Sequence, residues 1–397
     1  MMSASLAAQN MTSSPYSRYA YGDLNENVPT GYRAMGGVGI GMRNNRAINP
    51  SQPASYTSCD SLTFMMDIAA SVNWSMYKDV AGHKNKANGN LEYVTIQVPL
   101  WKRWIAMSVG LLPYSSVGYD IAETDSTSDI RGVYTKTYNG TGNISEVYGG
   151  LSFNICNWLA LGANVYYMWG DLTRMRTLSF AEADKNATIQ AEILSVSNVR
   201  LRYGAQFFHT WGHHSINAGA IFESRMKLNS GLVLLETQSN DSIDIYVNGW
   251  QLPMVWGVGA SYNWANRLTV AFDYERQCMA SALYNGLRGD DPLNGFQDKS
   301  RYAFGAEYRH NPQGRKYVER MLWRVGVSVQ DEYLTMINAK RITASVGIGF
   351  PLYTIGTVIN TTIEYSHRGS SAYLEDNSLR FTIGASIAES WFFKRKL

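Results

Sequence analysis

Charge is scarce in this chain. Its 35 Lys and Arg and 32 Asp and Glu make up 17% of 397 residues, where soluble domains carry about 25%. The net charge of +3 is small and unclustered, which argues against a nucleic-acid footprint. Cysteine is nearly absent: Cys59, Cys156 and Cys278 stand alone without CxxC spacing, so neither a metal knuckle nor a disulfide framework is indicated. There is also no run of roughly 18 consecutive apolar residues, the minimum for a spanning helix. Val147 to Gly170 lacks charge, yet Ser152, Asn154, Asn157 and Asn164 interrupt it. GxSxG, HExxH and Walker patterns are missing, and no nucleophile and base are aimed at one another by spacing. The expectation is therefore a protein that is not an enzyme, with no catalytic residue, no resident metal and no cofactor.

What the chain has in abundance is aromatic side chains and glycine. The 26 Tyr, 13 Phe, 11 Trp and 35 Gly exclude a disordered polypeptide. The N-terminal Met1-Met2-Ser3-Ala4-Ser5-Leu6-Ala7-Ala8 reads as the tail of a secretory signal peptide, with small residues around a cleavage point. We assign residues 1–8 to that remnant.

Alternation dominates the chain from Leu62 onward. The even positions are Leu62, Phe64, Met66, Ile68, Ala70, Val72, Trp74 and Met76, while Thr63, Asp67, Ser71, Asn73 and Ser75 fall between them. Successive strand side chains point to opposite faces, and about 9–11 tilted residues cross a bilayer. The same pattern recurs in Met321–Val329, Ile342–Phe350 and Leu379–Ile387. Fourteen strands are expected: 61–77, 91–100, 104–118, 145–156, 158–176, 196–210, 214–230, 245–263, 267–280, 300–310, 320–332, 341–351, 354–367 and 378–393.

Their connections alternate long and short, as in outer-membrane barrels with short periplasmic turns and longer external loops. The short ends carry Trp101, Trp104, Trp158, Trp211, Trp264 and Tyr353, and indoles favour the headgroup level. Trp391-Phe392-Phe393 closes the chain at the same interface. The fold class expected is all-β: a 14-stranded antiparallel transmembrane β-barrel over 61–397 in the bacterial outer membrane. His209, His213 and His214 cluster at one periplasmic turn and read as interfacial polar residues.

Residues 9–60 do not alternate. Gly36, Gly37, Gly39 and Gly41 precede Asn49-Pro50 and Pro53, without a phosphate-binding pattern. A barrel of this size leaves a lumen, and glycine allows close backbone approach. The segment is expected to fold back as an N-terminal plug, with Gly36, Gly37, Gly39, Asn49 and Pro50 as its defining residues.

These residues carry a resemblance. Ser14-Pro15-Tyr16-Ser17-Arg18-Tyr19-Ala20-Tyr21-Gly22-Asp23, Arg33-Ala34-Met35-Gly36-Gly37-Val38-Gly39 and Asn49-Pro50 resemble the hatch of the FadL/OmpP1/TodX outer-membrane transporters, in particular their Bacteroidetes branch. Gly257-Val258-Gly259-Ala260, Phe304-Gly305-Ala306-Glu307-Tyr308 and Glu364-Tyr365 come after them in the family's order. The family's Asn-Pro-Ala appears as Asn49-Pro50-Ser51, and Ala20 stands where glycine is usual.

The resemblance implies diffusion of long-chain fatty acids or other hydrophobic compounds, a kinked third strand that opens the wall sideways, and a monomer in outer-membrane lipid. The third strand holds Gly110, Pro113 and Gly118. Proline cannot donate to a ladder, so a break at Pro113 is the expected lateral gate. Arg174, Arg176, Arg200 and Arg202 fall together on the lumen face. Four guanidinium groups repel unless an anion joins them, and they are expected to draw in a ligand carboxylate. The other lumen charges are expected to pair and hold the plug. The alternative is a non-transporting scaffold or shuttle for secreted or surface proteins, because relatives on such barrels act that way. A filled lumen would favour it.

Overall fold

The computed structural model describes residues 12–78, 82–125, 134–180, 187–236, 242–245, 250–282, 295–335, 339–352, 356–369 and 374–390. The expected signal remnant at 1–8, Tyr353 and Trp391-Phe392-Phe393 lie outside them. Fourteen antiparallel strands form the wall: β1 Thr63–Lys78, β2 His83–Trp101, β3 Ile105–Asp125, β4 Tyr134–Cys156, β5 Leu159–Phe180, β6 Thr188–Trp211 and β7 His214–Glu223. They continue as β8 Met254–Trp264, β9 Leu268–Cys278, β10 Lys299–Tyr308, β11 Leu322–Asp331, β12 Lys340–Pro351, β13 Val358–Gly369 and β14 Glu375–Ser390. Each pairs with its sequence neighbour, and β14 returns to β1 from Glu375↔Lys78 to Ser390↔Thr63. Closure satisfies backbone groups that lipid cannot.

The outward face is a belt of apolar side chains. Val72, Trp74, Val325, Val346, Phe381 and Ile383 are all exposed, while Asp67, Ser71, Thr382 and Ser386 on the opposite face are buried. An exposed apolar surface of this extent belongs against lipid rather than water, and the protein is a bacterial outer-membrane barrel. Trp101, Trp104, Trp158, Trp211, Trp264 and Trp323 stand exposed at the short-turn end, the level of an interfacial girdle.

Several strands differ from expectation at their outer ends. β2 begins at His83 rather than 91, β4 at Tyr134 rather than 145, and β6 at Thr188 rather than 196; β3 runs on to Asp125. These arms rise above the lipid belt, where no apolar face is enforced and alternation fades. The opposite correction applies to β7 and β8, expected as 214–230 and 245–263. The chain leaves the wall at Glu223, and Met226–Lys227 pairs with Gln251–Leu252. A hairpin of Ser230–Glu236 and Ser242–Ile245 adds onto the outer half of β6.

Candidate functional site: the plug, its ion pairs and the parted wall

Residues 12–60, the segment expected as a plug and called so below, make their wall contacts with inward-facing side chains. Glycine is required where they meet the wall: Gly36 turns with φ +73°, and a Cβ at Gly41 would lie 2.5 Å from the Ala260 nitrogen. The plug residues named from sequence each find a wall or plug partner. Gly36 donates its N–H to Ser345 Oγ at 2.9 Å, and Arg301 donates to the Gly36 and Gly37 carbonyls at 2.7 and 3.3 Å. The Asp273 carboxylate accepts from the N–H groups of Gly39, Ile40 and Gly41 at 2.5, 2.7 and 3.1 Å. Asn49 donates to the Gly39 carbonyl at 2.7 Å, and the Pro50 carbonyl accepts from Asn164 and Tyr166, both at 3.0 Å.

Charge fixes the plug more firmly. Arg33 reaches Glu92 at 3.0 Å and Glu364 at 3.5 Å. Glu92 is the extra residue of a β2 bulge, between Tyr93 and Leu91 paired to Ala69 and Ala70. Arg368 on β13 joins Asp23 at 3.1 Å, Asp376 at 2.9 Å and Ser14 Oγ at 2.7 Å. Arg301 meets Glu26 at 3.0 Å, and Arg324 meets Glu307 at 2.7 Å.

The expected unbalanced arginine patch is corrected by the acids around it. Arg200 is buried and forks onto Glu146 at 2.8 Å and Glu223 at 2.9 Å, with its guanidinium 3.8 Å from the Tyr166 ring centroid. Arg202 also pairs with Glu223. Arg174 pairs with Glu192 at 3.4 Å and donates to the Ala20 carbonyl. Arg176 lies half-buried further up, opposite Tyr138 and Gln190. Alternation places Glu192 in a loop, whereas it lies within β6, on an arm above the lipid belt where no apolar face marks a strand.

Above the plug the lumen is closed by side chains. Tyr21, Val117, Met168, Leu172, Leu194, Trp250 and Leu334 form one buried apolar cluster, and the Tyr21 hydroxyl donates to the Gln251 carbonyl at 2.5 Å. The interior spaces beside the plug are small and charged. One of about 100 Å³ is lined by Glu26, Arg200, Arg202, Glu223, Lys299 and Arg301, and another of about 60 Å³ by Arg33, Arg341, Glu364 and Arg380 among others.

The wall itself parts at the third strand. The β2–β3 ladder runs from Trp101↔Ile105 to Val94↔Leu111 and ends there. Gly110 occupies the penultimate rung, and a Cβ on it would come within 2.8 Å of Thr95 and Tyr148. Pro113 lies two residues above the last rung. On its other side the β3–β4 ladder continues to Asp125↔Tyr134, shifting register between Pro113 and Ser115. Where β2 leaves, the plug takes its place: Asp23–Leu24 pairs with Ser116 and Ser115. Asn25 N–H donates to the Tyr114 carbonyl at 2.9 Å, and the Gly118 N–H donates to Ser17 Oγ at 3.0 Å. Residues Leu112, Pro113 and Ser115–Tyr119 are buried on both faces. A cleft of about 380 Å³ lies between the parted arms, lined by His83, Lys84, Lys86, Tyr119, Ile121 and Leu374 among others.

The three cysteines are free thiols. His209, Trp211, His214 and Tyr262 stack along the short-turn end, and His214 Nδ1 lies 2.6 Å from the Tyr262 hydroxyl. No grouping of three metal-ligating side chains exists among the described residues.

The fold has solved counterparts. The toluene transporter TodX of P. putida superposes with TM-score 0.64 at 14% identity, covering 92% of this chain and 99% of that one. The Ralstonia pickettii toluene transporter TbuX gives 0.62 at 14% identity, covering 91% and 98%. A Pseudomonas aeruginosa FadL homologue gives 0.61 at 12% identity, covering 93% and 99%. No curated protein matches the chain. A family model, described as BamG, matches residues 1–397.

Proposed function

The chain belongs to the BamG family, and from that premise and its FadL-like fold we propose an outer-membrane channel for hydrophobic small molecules such as long-chain fatty acids, with a lateral opening beside Pro113. The observation that carries this reading is the parting of β2 from β3 above Leu111, with the 380 Å³ cleft between the two arms. A ligand entering that cleft would reach lipid by moving down to the gap above Leu111, where Asp23 and Leu24 of the plug now pair with β3. Its driving force is apolar burial at about 25 cal/mol per Å². The solved transporters of toluene support the substrate class. A carboxylate headgroup would have to compete with Glu146 and Glu223 for Arg200 and Arg202, whereas Lys84 and Lys86 line the cleft directly.

One observation favours a second reading, the non-transporting scaffold. The lumen above the plug is occupied by the protein's own apolar side chains, and the spaces beside it are small and charged. A barrel filled in this way presents surfaces rather than a passage, and its partner would be a protein. Binding of a labelled long-chain fatty acid to the purified barrel, beside Pro113→Ala, separates the two. Saturable, chain-length-dependent binding that changes in Pro113→Ala supports the channel. Absence of binding in a non-competing detergent overturns it, and a pull-down for protein partners then tests the scaffold.

A further inference from the structure

The short-turn end of the barrel, below the plug, holds an open vestibule of about 780 Å³. Four arginines line it, Arg43, Arg46, Arg103 and Arg309, against two acids, Asp60 and Glu307. Both acids are already engaged. Asp60 takes Arg103 at 3.0 Å and the Asn45 amide at 2.8 Å, and Glu307 takes Arg324 at 2.7 Å.

Arg43, Arg46 and Arg309 thus make no ion pair among the described residues, although Glu307 lies near enough to act on both Arg46 and Arg309, and Asp60 on Arg46. Arg43 donates to neutral acceptors, the Ala54 carbonyl at 2.9 Å and Thr57 Oγ1 at 3.0 Å, and lies 4.0 Å from the Phe208 ring centroid. Arg309 donates to the Asn266 carbonyl at 3.2 Å, while its Nε is buried with no partner. The Arg46 guanidinium makes no hydrogen bond or ion pair among the described residues. Burial and the neighbouring Arg46 charge pull the Arg309 pKa down to about 10. Burial lowers that of Arg46 as well. Two half-buried guanidinium groups of like charge, with Arg46 near enough to lower the Arg309 pKa, form an arrangement that an anion between them would relieve. Guanidinium forks fit the paired oxygens of a carboxylate or a phosphate.

We propose that this vestibule is an oxyanion site, in which Arg46 and Arg309, flanked by Arg43, bind the carboxylate or phosphate group of a periplasmic molecule. The site lies at the opposite end of the barrel from the cleft between the parted arms, so it stands independently of the channel reading. Asn217, Asn263 and Asn266 line the same space, and their amides offer donors and acceptors to the rest of such a ligand.

The test is isothermal titration of the full-length barrel with inorganic phosphate and, separately, with the peptide triglutamate. The wild type, the double variant Arg46→Gln/Arg309→Gln and Arg315→Gln, an exposed control outside the vestibule, are compared. Saturable binding that weakens at least tenfold in the double variant, and is unchanged in Arg315→Gln, supports the site. Phosphate alone assigns it to phosphate groups, triglutamate alone to acidic peptides, and both to oxyanions in general. Binding of neither probe, or equal binding by the double variant, overturns the proposal. Heat-modifiable migration checks that each variant is folded, and a ligand-dependent rise in unfolding temperature in the wild type only gives a second readout.

Discussion

The edge of the Tyr21 ring meets Trp250 with centroids 5.3 Å apart and planes at 84°. One ring belongs to the plug and the other to the segment between β7 and β8, so this contact joins the lid to what it covers. Trp250 is fully buried, and its truncation removes the largest side chain of that lid. Trp250→Ala is expected to cost about 3–5 kcal/mol and to raise single-channel conductance in planar bilayers above that of the wild type. Equal conductance would show that the plug alone sets the seal.

Arg200 tests the locked-lumen geometry. Removing one partner of a buried ion pair leaves an uncompensated charge, at a cost of about 3–5 kcal/mol. Arg200→Ala should therefore lower the temperature at which the folded barrel loses its fast gel mobility. Arg200→Met with Glu146→Leu and Glu223→Leu should recover part of that loss, because no charge is stranded. The same Arg200→Ala variant should leave ligand affinity unchanged if Arg200 serves the lock rather than a headgroup.

The Asp273 carboxylate receives three consecutive N–H groups, bonds of the charge-assisted kind worth about 1.5–3 kcal/mol each. In Asp273→Asn one oxygen becomes a donor facing donors. Amide hydrogen exchange of residues 36–43 is expected to accelerate by more than tenfold, with exchange in β1 and β14 unaltered.

Glu26 gives the plug a pH dependence. Burial raises its pKa, but Arg301 first, then Arg33 and Lys299, outweigh burial and hold it to about 2. An acid depressed in this way stabilises the folded state above its unfolded pKa of about 4.3. That contribution is lost as pH falls toward 2. Protease access to the plug should stay constant from pH 8 to about 5 and rise below about 4, and Glu26→Gln should flatten the rise.

The barrel was readable in the sequence because lipid enforces alternation: Phe64 to Met76 on β1 and Leu379 to Ile387 on β14 cannot mix polar and apolar on their outer face. Where strands leave lipid, that constraint ends. His83-Lys84-Asn85-Lys86-Ala87-Asn88-Gly89-Asn90 is polar on both faces yet wholly strand, and no period marks it. The plug's glycines were visible as a run, and each of those named meets the wall or turns beside it. The ion-pair partners were not visible, because pairing is a property of register. Glu92 reaches Arg33 only through a bulge, and Glu146 and Glu223 reach Arg200 from strands on either side of it. Pro113 lies on the strand from which β2 parts, while the end of the ladder at Leu111 depends on where β2 turns away.

Arg368 binds Ser14 and Asp23 from the opposite end of the chain, and the separation between Ser14 and Arg368 is 354 residues. During biogenesis Ser14 and Asp23 must wait for Arg368 until the thirteenth strand exists. Closing so long a loop is slow in the sense that contact order measures, and the N-terminal segment stays exposed for that interval. Seating of the N-terminal segment is therefore a late event of assembly, held back until thirteen strands have been made.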